Sequence, residues 1–239
     1  MGVVLERGPS DPYRVATMTA TAPSERSRVR RAPKRADYDR ATIDAILDEA
    51  LVAHLGFVAD GQPYVIPTLH ARVGDEVLIH GSAASRMVRA LGAGVPACLT
   101  VTLIDGLVLA RSAFHHSMNY RSVVVLGEAR FVEGEAEREA ALAAFTDKLV
   151  PGRWDEVRTP SRQELKGTRV LALPLTEASA KLRAGGPVDD DEDHDLDVWA
   201  GVVPLHTTRG AVEPDPRLRA GIPLSPAVAA YVGAGSPSA

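Results

Sequence analysis

One short segment of the chain gathers side chains suited to binding an anion at the start of a predicted helix. Its candidate residues are His80, Gly81, Ser82, Ser85 and Arg86. Backbone N–H groups at a helix start are unpaired and carry partial positive charge, and serine hydroxyls and a guanidinium add further donors. The segment is therefore a candidate phosphate cradle. The alternative is an ordinary capped helix with a surface arginine, since short motifs often match by chance.

A second segment, Phe114–Ser122, places two histidines, an asparagine, a tyrosine and an arginine in nine positions. Loops on a rigid scaffold often carry function, and structural hydrogen bonding explains one histidine more easily than the whole group. Adjacent His115 and His116 point opposite ways on an extended chain, so they do not easily share a metal ion, and no further ligand pattern supports zinc. We interpret the segment as a binding surface. Its candidate residues are Ser117, Asn119, Tyr120, Arg121 and Ser122.

Four further features have ordinary structural explanations as well as functional ones. His70 and Arg72 alternate with apolar residues, so both side chains lie on one face of a predicted strand and meet a ligand or water. Trp199 either packs in the core or lies near a planar ligand. The acidic run Asp189–Asp197 lacks the glycine-containing spacing of a calcium loop, which predicts a solvated loop. Cys98 is the one cysteine and lies in an apolar run, so we expect a buried thiol.

The elements that must position these residues are mainly short strands. An apolar stripe from Ile43 to Leu51 predicts a helix that Asp39 or Thr42 caps. Two Asp-Gly pairs, at 60–61 and 105–106, predict tight hairpins between strands. The remaining predicted strands cover 52–59, 64–72, 76–80, 97–104, 107–113, 121–131 and 168–173, and helices cover 85–91 and 135–149. Trp199–Leu205 is a last apolar segment, and the whole pattern indicates an antiparallel barrel or sandwich.

Composition limits the class of protein. The chain has 239 residues, 45% of them hydrophobic, which is enough for one domain with a core. A net charge of −4 argues against nucleic acid as the main partner. No run approaches the roughly 20 apolar residues that span a bilayer, and the first residues lack the apolar centre of a signal peptide. We therefore expect a cytoplasmic protein.

The ends of the chain differ from its middle. Residues 1–36 are rich in serine, proline and arginine and are predicted to be a disordered basic tail. The alternative is that the last of these residues fold onto an anionic ligand or a partner subunit. Residues 37–212 form the predicted domain, and residues 213–239 are expected to be a loosely ordered tail.

Five pieces of the sequence resemble one known family. They are Ile46–Ala50, Pro63–Thr68, His80–Ser82, Ser117–Val123 and Trp199–Leu205. In this order they are similar to the FMN-binding split-barrel proteins related to pyridoxamine 5′-phosphate oxidase, and most of all to the nitroimidazole-resistance branch. The resemblance implies a mainly β fold, an antiparallel six-stranded split β-barrel with flanking helices. It also implies a homodimer with two FMN sites at its interface.

The resemblance also assigns roles to residues. It implies that Pro67, Thr68 and Leu69 lie along the isoalloxazine and that His80–Arg86 holds the ribityl phosphate. Residues Ser117–Ser122 and Trp199 would complete the pocket, partly from the other subunit. His70 matches a histidine close to the flavin in the nitroimidazole-resistance branch and is the tentative catalytic residue.

The expected function is an FMN-dependent oxidoreductase without a metal site. A reduced nicotinamide would give a hydride to the flavin, which would reduce a nitro compound or quinone, and Arg121 or Arg72 would stabilise the reduced ring. The paired substrate-phosphate residues of true pyridoxamine phosphate oxidases are not recognised near the C-terminus. Three alternatives stay open: a non-catalytic flavin-binding protein, a barrel that holds deazaflavin or haem with His70, His115 or His116 as axial ligand, and a protein that binds an anionic partner through residues 26–35.

Overall fold

Alternating apolar residues give the long central segments of the chain an extended conformation, because a strand with this pattern buries one face. The computed structural model describes residues 21–234. Its strands are β1 (Ala36–Asp37), β2 (Val52–Ala59), β3 (Gln62–Val73), β4 (Glu76–Ser82), β5 (Ala97–Leu109), β6 (Ser117–Gly127), β7 (Arg130–Phe131), β8 (Thr168–Pro174), β9 (Ala178–Arg183) and β10 (Gly201–Pro204). The α-helices are α1 (Arg40–Glu49), α2 (Arg86–Gly92), α3 (Glu135–Leu149), α4 (Arg162–Gly167) and α5 (Pro226–Gly233).

The strands form one antiparallel sheet in the order β1-β9-β6-β5-β2-β3-β4-β8-β7, and β10 adds to β5. Among the described residues, the end strands β1 and β7 do not pair with each other, so the sheet curls without closing. This agrees with the predicted split barrel, although the sheet has ten strands where six were implied. Within residues 21–234, no helix has both the length and the apolar content needed to cross a membrane.

Local sequence signals explain several elements. The predicted hairpin at Asp60-Gly61 is confirmed: both residues have positive φ, 53° and 76°, and they join β2 to β3. The Asp39 side chain accepts a hydrogen bond from the Ala41 N–H and caps α1. Ile43, Ile46 and Leu47 on the predicted stripe are buried in the barrel, so α1 closes one end of it.

The second predicted hairpin, at Asp105-Gly106, is wrong. Residues 97–109 form one continuous strand, and the register with β6 shifts between Ile104 and Gly106, which makes Asp105 a β-bulge. Neither residue of the pair has positive φ, so the chain does not turn. Gly106 is needed for another reason: a Cβ there would lie 3.0 Å from the Val203 carbonyl oxygen of β10.

The acidic run is also less solvated than predicted. Asp189 has a side chain only 1% exposed, and it accepts hydrogen bonds from the Arg111 N–H at 2.9 Å and the Arg111 guanidinium at 2.8 Å. A buried carboxylate requires such a partner. The run therefore begins with an anchor that fixes the loop beside the end of β5.

Both ends of the described chain form hydrogen bonds with the domain. Near the N-terminus, the Ser24 hydroxyl donates to Glu177, and the Val29 N–H donates to the Tyr38 hydroxyl. At the other end, residues 203–224 are exposed throughout before α5 returns, where the Ala227 N–H donates to Glu156. Residues 1–20 and 235–239 of the two predicted tails lie outside the described part of the chain.

Replacing Gly106 by valine tests the close approach of β10. A side chain at this position must displace the Val203 carbonyl, so the free energy of unfolding should fall by about 1–3 kcal/mol. Urea denaturation measures the change. Gly167→Ala is the control, because nothing lies within 4 Å of the position its Cβ would take. Equal stability of Gly106→Val and the wild type would show that β10 does not pack as described.

Candidate functional site

The sheet presents its outer face on four neighbouring strands, β3, β2, β5 and β6. The register places Val65, Gly56, Cys98 and Leu126 in one row across them. The next row is Pro67, His54, Thr100 and Val124. Val65 is 67% exposed, whereas alternate residues of the same strands fill the barrel interior. Further along the sheet, α3 covers the outer face of β4 and β8.

A groove of about 420 Å³ lies at one end of this exposed face. Its floor is small and apolar, because Gly56 pairs with Val65 on one side and Cys98 on the other. Burial raises the pKa of the Cys98 thiol, so the group stays protonated and presents an uncharged surface. The full lining is Arg26, Gly56, Phe57, Val58, Pro63, Tyr64, Val65, Pro96, Ala97, Cys98 and Leu126.

One arginine, Arg26, lines the groove. A second, Arg86, does not: its guanidinium lies over the Tyr64 ring, 4.5 Å from the ring centroid, and that ring stacks on Phe57 of the barrel interior. Within residues 21–234, neither arginine forms a salt bridge with a carboxylate. A guanidinium offers a planar fork of donors that matches phosphate oxygens. The groove therefore combines an apolar floor with the Arg26 guanidinium, whose charge also helps the Ser24 hydrogen bond to lower the pKa of Glu177.

The predicted phosphate segment is only partly directed to this site. The Ser85 hydroxyl caps α2 by accepting from the Val88 N–H at 3.2 Å, and the Ser82 hydroxyl accepts from the Ala84 N–H. Gly81 allows α2 to approach, since a Cβ there would lie 3.0 Å from Val88. Both hydroxyls keep their own hydrogen for a ligand, and Arg86 carries the charge.

His80, which was grouped with these residues, faces α3. Its ring packs on Phe145 with centroids 4.5 Å apart, and it lines a separate cleft of about 460 Å³ with Trp154 and Arg158. Burial lowers the pKa of His80, which favours a neutral imidazole. The structure therefore does not bring this side chain together with Arg86.

The Pro67–His70 piece divides between the two faces of β3. Pro67 and Leu69 alternate with Thr68 and His70, so only the first two lie on the outer face. His70 is fully buried, and its Nε2 donates to the Leu47 carbonyl oxygen at 2.9 Å. Burial lowers its pKa. The tentative catalytic residue is thus a core residue under α1 and does not face the groove.

The second predicted segment divides in the same way. Tyr120 and Ser122 lie on the outer side of β6, opposite Ile104 and Thr102, whereas Asn119 is buried and bonded to Arg183 and the Gly185 carbonyl. Ser117 is exposed at the start of the strand. Alternation alone decides this division, because adjacent side chains on a strand point to opposite faces.

The two arginines expected to stabilise a reduced ring are already paired with acids. Arg121 donates to Glu49 and to Asp105, and these carboxylates raise its pKa. Arg72 donates to Asp48, which likewise raises the pKa of the guanidinium. Their charges are therefore neutralised locally, and they hold α1 and the bulge against the barrel.

Trp199 lies at the far end of the exposed face. It is 66% exposed, and its ring lies over Gly201, where a Cβ would be 2.8 Å from the indole. The neighbouring row, Met118, Leu107 and Val203, is also exposed. This second end of the face is thus apolar and aromatic.

Several residues of the site were missed in the sequence, chiefly Gly56, Cys98 and Arg26. The sequence does contain a signal for the position of Gly56. A two-residue turn at Asp60-Gly61 fixes the pairing of β2 with β3, and this pairing places Gly56 opposite Val65. Arg26 carries no such signal, since its position follows from how the N-terminal segment folds back.

Comparison with known proteins identifies the family. A sequence profile described as pyridoxamine 5′-phosphate oxidase matches residues 39–182, more than half of the chain. The chain belongs to the pyridoxamine 5′-phosphate oxidase family. The predicted family is thereby confirmed. No curated protein sequence matches the chain.

Two solved structures cover most of the chain. One is the flavocytochrome Anf3 from Azotobacter vinelandii, 42% identical, which covers 88% of this chain and 98% of its own with a TM-score of 0.84. The other is the FAD and heme binding protein from Mycobacterium smegmatis, 41% identical, which covers 82% and 96% with a TM-score of 0.79.

A third structure shares the fold at lower identity. It is a 5-nitroimidazole antibiotic resistance protein from Bacteroides thetaiotaomicron, 21% identical, which covers 61% of this chain and 85% of its own with a TM-score of 0.52. The similarity to the nitroimidazole-resistance branch is therefore a similarity of fold.

The burial of His70 predicts acid sensitivity in this family member. Because burial lowers its folded pKa, the unfolded chain takes up a proton first as pH falls below about 6.5. The free energy of unfolding should therefore be highest above that pH and decrease below it, by at most about 1.4 kcal/mol per pH unit for this proton. Urea denaturation from pH 7 to 5 measures it.

His70→Gln should flatten this decline, since its amide can still donate to the Leu47 carbonyl but does not titrate. His206→Gln, at an exposed position of the C-terminal segment, should keep the wild-type profile. A decline of the same slope in His70→Gln would assign the acid sensitivity to another group.

Proposed function

We propose that the chain binds a flavin nucleotide on the outer face of β3, β2, β5 and β6. The observation that carries the proposal is the apolar groove that Arg26 and Tyr64 line, with the Arg86 guanidinium 4.5 Å from the centroid of the Tyr64 ring. Among residues 21–234, neither arginine forms a salt bridge with a carboxylate. The planar ring would lie on Gly56 and extend toward Pro67, with a phosphate beside Arg86. A flat apolar surface suits an aromatic ring, and the unpaired charges suit a phosphate.

FMN is the form that the family pattern implies, and FAD is the second candidate. A specific observation favours FAD: one relative above 40% identity is named as an FAD and heme binding protein. Both forms share the ring and the first phosphate, so both use the same groove and Arg86. Release of the cofactor by heat and its chromatography against both standards distinguishes the two forms.

We also propose that the working unit is a homodimer. The outer face exposes Val52, Val58, Val65 and Ile104 at about half or more of each side chain. Contiguous apolar surface of this kind is rarely left open to water in a soluble protein. A second copy on this face would cover the ring from above and complete the site, as the family resemblance implies.

The proposed activity is electron transfer through the flavin. When bound, the cofactor would accept a hydride from a reduced nicotinamide and a proton from water, and later return two electrons and two protons to a quinone or nitro compound. The protein positions the ring and leaves its exposed side open to one reactant at a time. The rival function is flavin binding without turnover. Absence of nicotinamide oxidation with several quinone and nitro acceptors would favour the rival.

Arg86→Ala tests the phosphate contact. Loss of a charged hydrogen bond to phosphate should weaken flavin binding by on the order of 10-fold to 100-fold, because such bonds contribute about 1.5–3 kcal/mol. Fluorescence titration of the apoprotein with FMN and FAD measures the affinity.

Arg89→Ala is the matched control, since Arg89 is an exposed arginine on the same helix, α2. It should bind flavin as the wild type does. Equal affinity in Arg86→Ala would remove Arg86 from the phosphate site.

Val65→Asp tests the dimer. A carboxylate in the middle of an apolar interface must be desolvated without a partner, which should shift the protein to monomers. Sedimentation velocity at a series of concentrations measures the distribution. Val157→Asp, at an exposed position away from the sheet, should remain dimeric. A monomeric wild type, or a dimeric Val65→Asp, would contradict the proposed interface.

A further inference from the structure

The structure distinguishes among the histidines that could ligate a haem iron. His70 is fully buried and its Nε2 is committed to the Leu47 carbonyl oxygen. His115 directs its Nε2 to the Asp190 carboxylate at 3.2 Å. His116 is exposed, and its Nδ1 lies 2.9 Å from the Ser112 carbonyl oxygen.

The Ser112 contact fixes the tautomer of His116. A carbonyl oxygen can only accept a hydrogen bond, so Nδ1 carries the hydrogen and donates it. In the neutral ring, Nε2 then keeps its lone pair. A histidine held by its Nδ1–H, with the lone pair of Nε2 available, is the arrangement that proteins use for metal and haem ligation.

Several exposed apolar residues lie near His116, next to the polar His115–Asp190 pair. His116 directly precedes β6 and is two residues from Met118, whose row contains Leu107 and Val203. Beyond β5, the Trp199 indole lies over Gly201 of β10, which pairs with Leu109. Phe114 is 89% exposed, the highest value among the large apolar residues of the described chain. An exposed aromatic and thioether surface beside a free imidazole nitrogen fits the edge and face of a porphyrin.

We propose that His116 Nε2 is an axial ligand of a haem that lies on this apolar end of the sheet. The two relatives above 40% identity are named as a flavocytochrome and as an FAD and heme binding protein, so haem is a ligand class already present among similar chains. The residues present fit the group: one bare imidazole nitrogen, an indole, a methionine and aliphatic side chains.

The proposed haem and the proposed flavin would lie on the same outer face of β6. Met118 and Val124 lie on the same outer face of β6, six residues apart, which corresponds to about 20 Å of strand. Because both groups are extended, their edges would be closer than this. The proposal adds a second redox group to the proposed function and rests on its own residues, so it can fail while flavin binding succeeds.

Haem titration of full-length protein tests the proposal. Apoprotein is mixed with ferric haem, and the Soret band and electron paramagnetic resonance spectrum report ligation by imidazole. His116→Ala should lose the imidazole-ligated spectrum and bind haem at least 10-fold to 100-fold more weakly, since loss of even an outer partner of a metal ligand has about this effect. Added imidazole should restore the ligated spectrum in His116→Ala.

His80→Ala is the matched comparison. His80 lines the cleft under α3, which is the rival location for a haem in the described chain. It should keep the wild-type Soret band and haem affinity. Loss of ligation in His80→Ala with retention in His116→Ala would overturn the proposal, and so would a wild type that gives no imidazole-ligated spectrum. Flavin absorbance is recorded in the same samples, so a failed flavin site is recognised separately.

Discussion

The bulge at Asp105 determines how the two halves of β5 face the rest of the molecule. The bulge sets the two residues between Ile104 and Leu107 against the single Asn119, so both Ile104 and Leu107 lie on the outer face, opposite Tyr120 and Met118 of β6. If the same sequence alternated without a bulge, Leu107 would turn inward and the apolar face would end at Ile104. The Arg121 guanidinium holds the bulge by donating to Asp105 and simultaneously to Glu49 at the end of α1. A single cation thus joins the bulge, the barrel and its end helix.

The candidate site is exposed because helix α3 covers only part of the outer face of the sheet. Inward residues of every long strand fill the barrel, whereas the outer face is covered by α3 only on the side of β4 and β8. On the other side, β3, β2, β5 and β6 expose apolar residues in registered rows. Several arginines near the sheet are paired with acids, as Arg72, Arg121 and Arg130 are. Within residues 21–234, Arg26 and Arg86 form no such salt bridge; Arg26 lines the groove, and Arg86 lies over the ring of Tyr64.

Features that depend on local chemistry could be predicted from the sequence. They include the Asp60-Gly61 turn, the Asp39 cap and the limits of α3. The barrel was predicted from the family resemblance together with these elements. The hairpin predicted at the second Asp-Gly pair was wrong, because the same dipeptide occurs in turns and in bulges. Pairing with β6 and β10 decides which of the two forms. His70 was expected near a flavin, but its direction depends on strand parity and on α1, neither of which a motif contains. Arg26 could not be placed, since its position depends on a fold-back of the N-terminal segment.

The proposed function depends on the outer face of β3, β2, β5 and β6 being the cofactor-binding surface. A crystal structure of the full-length protein, purified with its own cofactor, decides whether it is. We expect a flavin ring stacked on Gly56 and extending toward Pro67, with its phosphate bound by Arg86. A flavin ring in the cleft beside His80, or inside the barrel near His70, would show that the cofactor binds elsewhere.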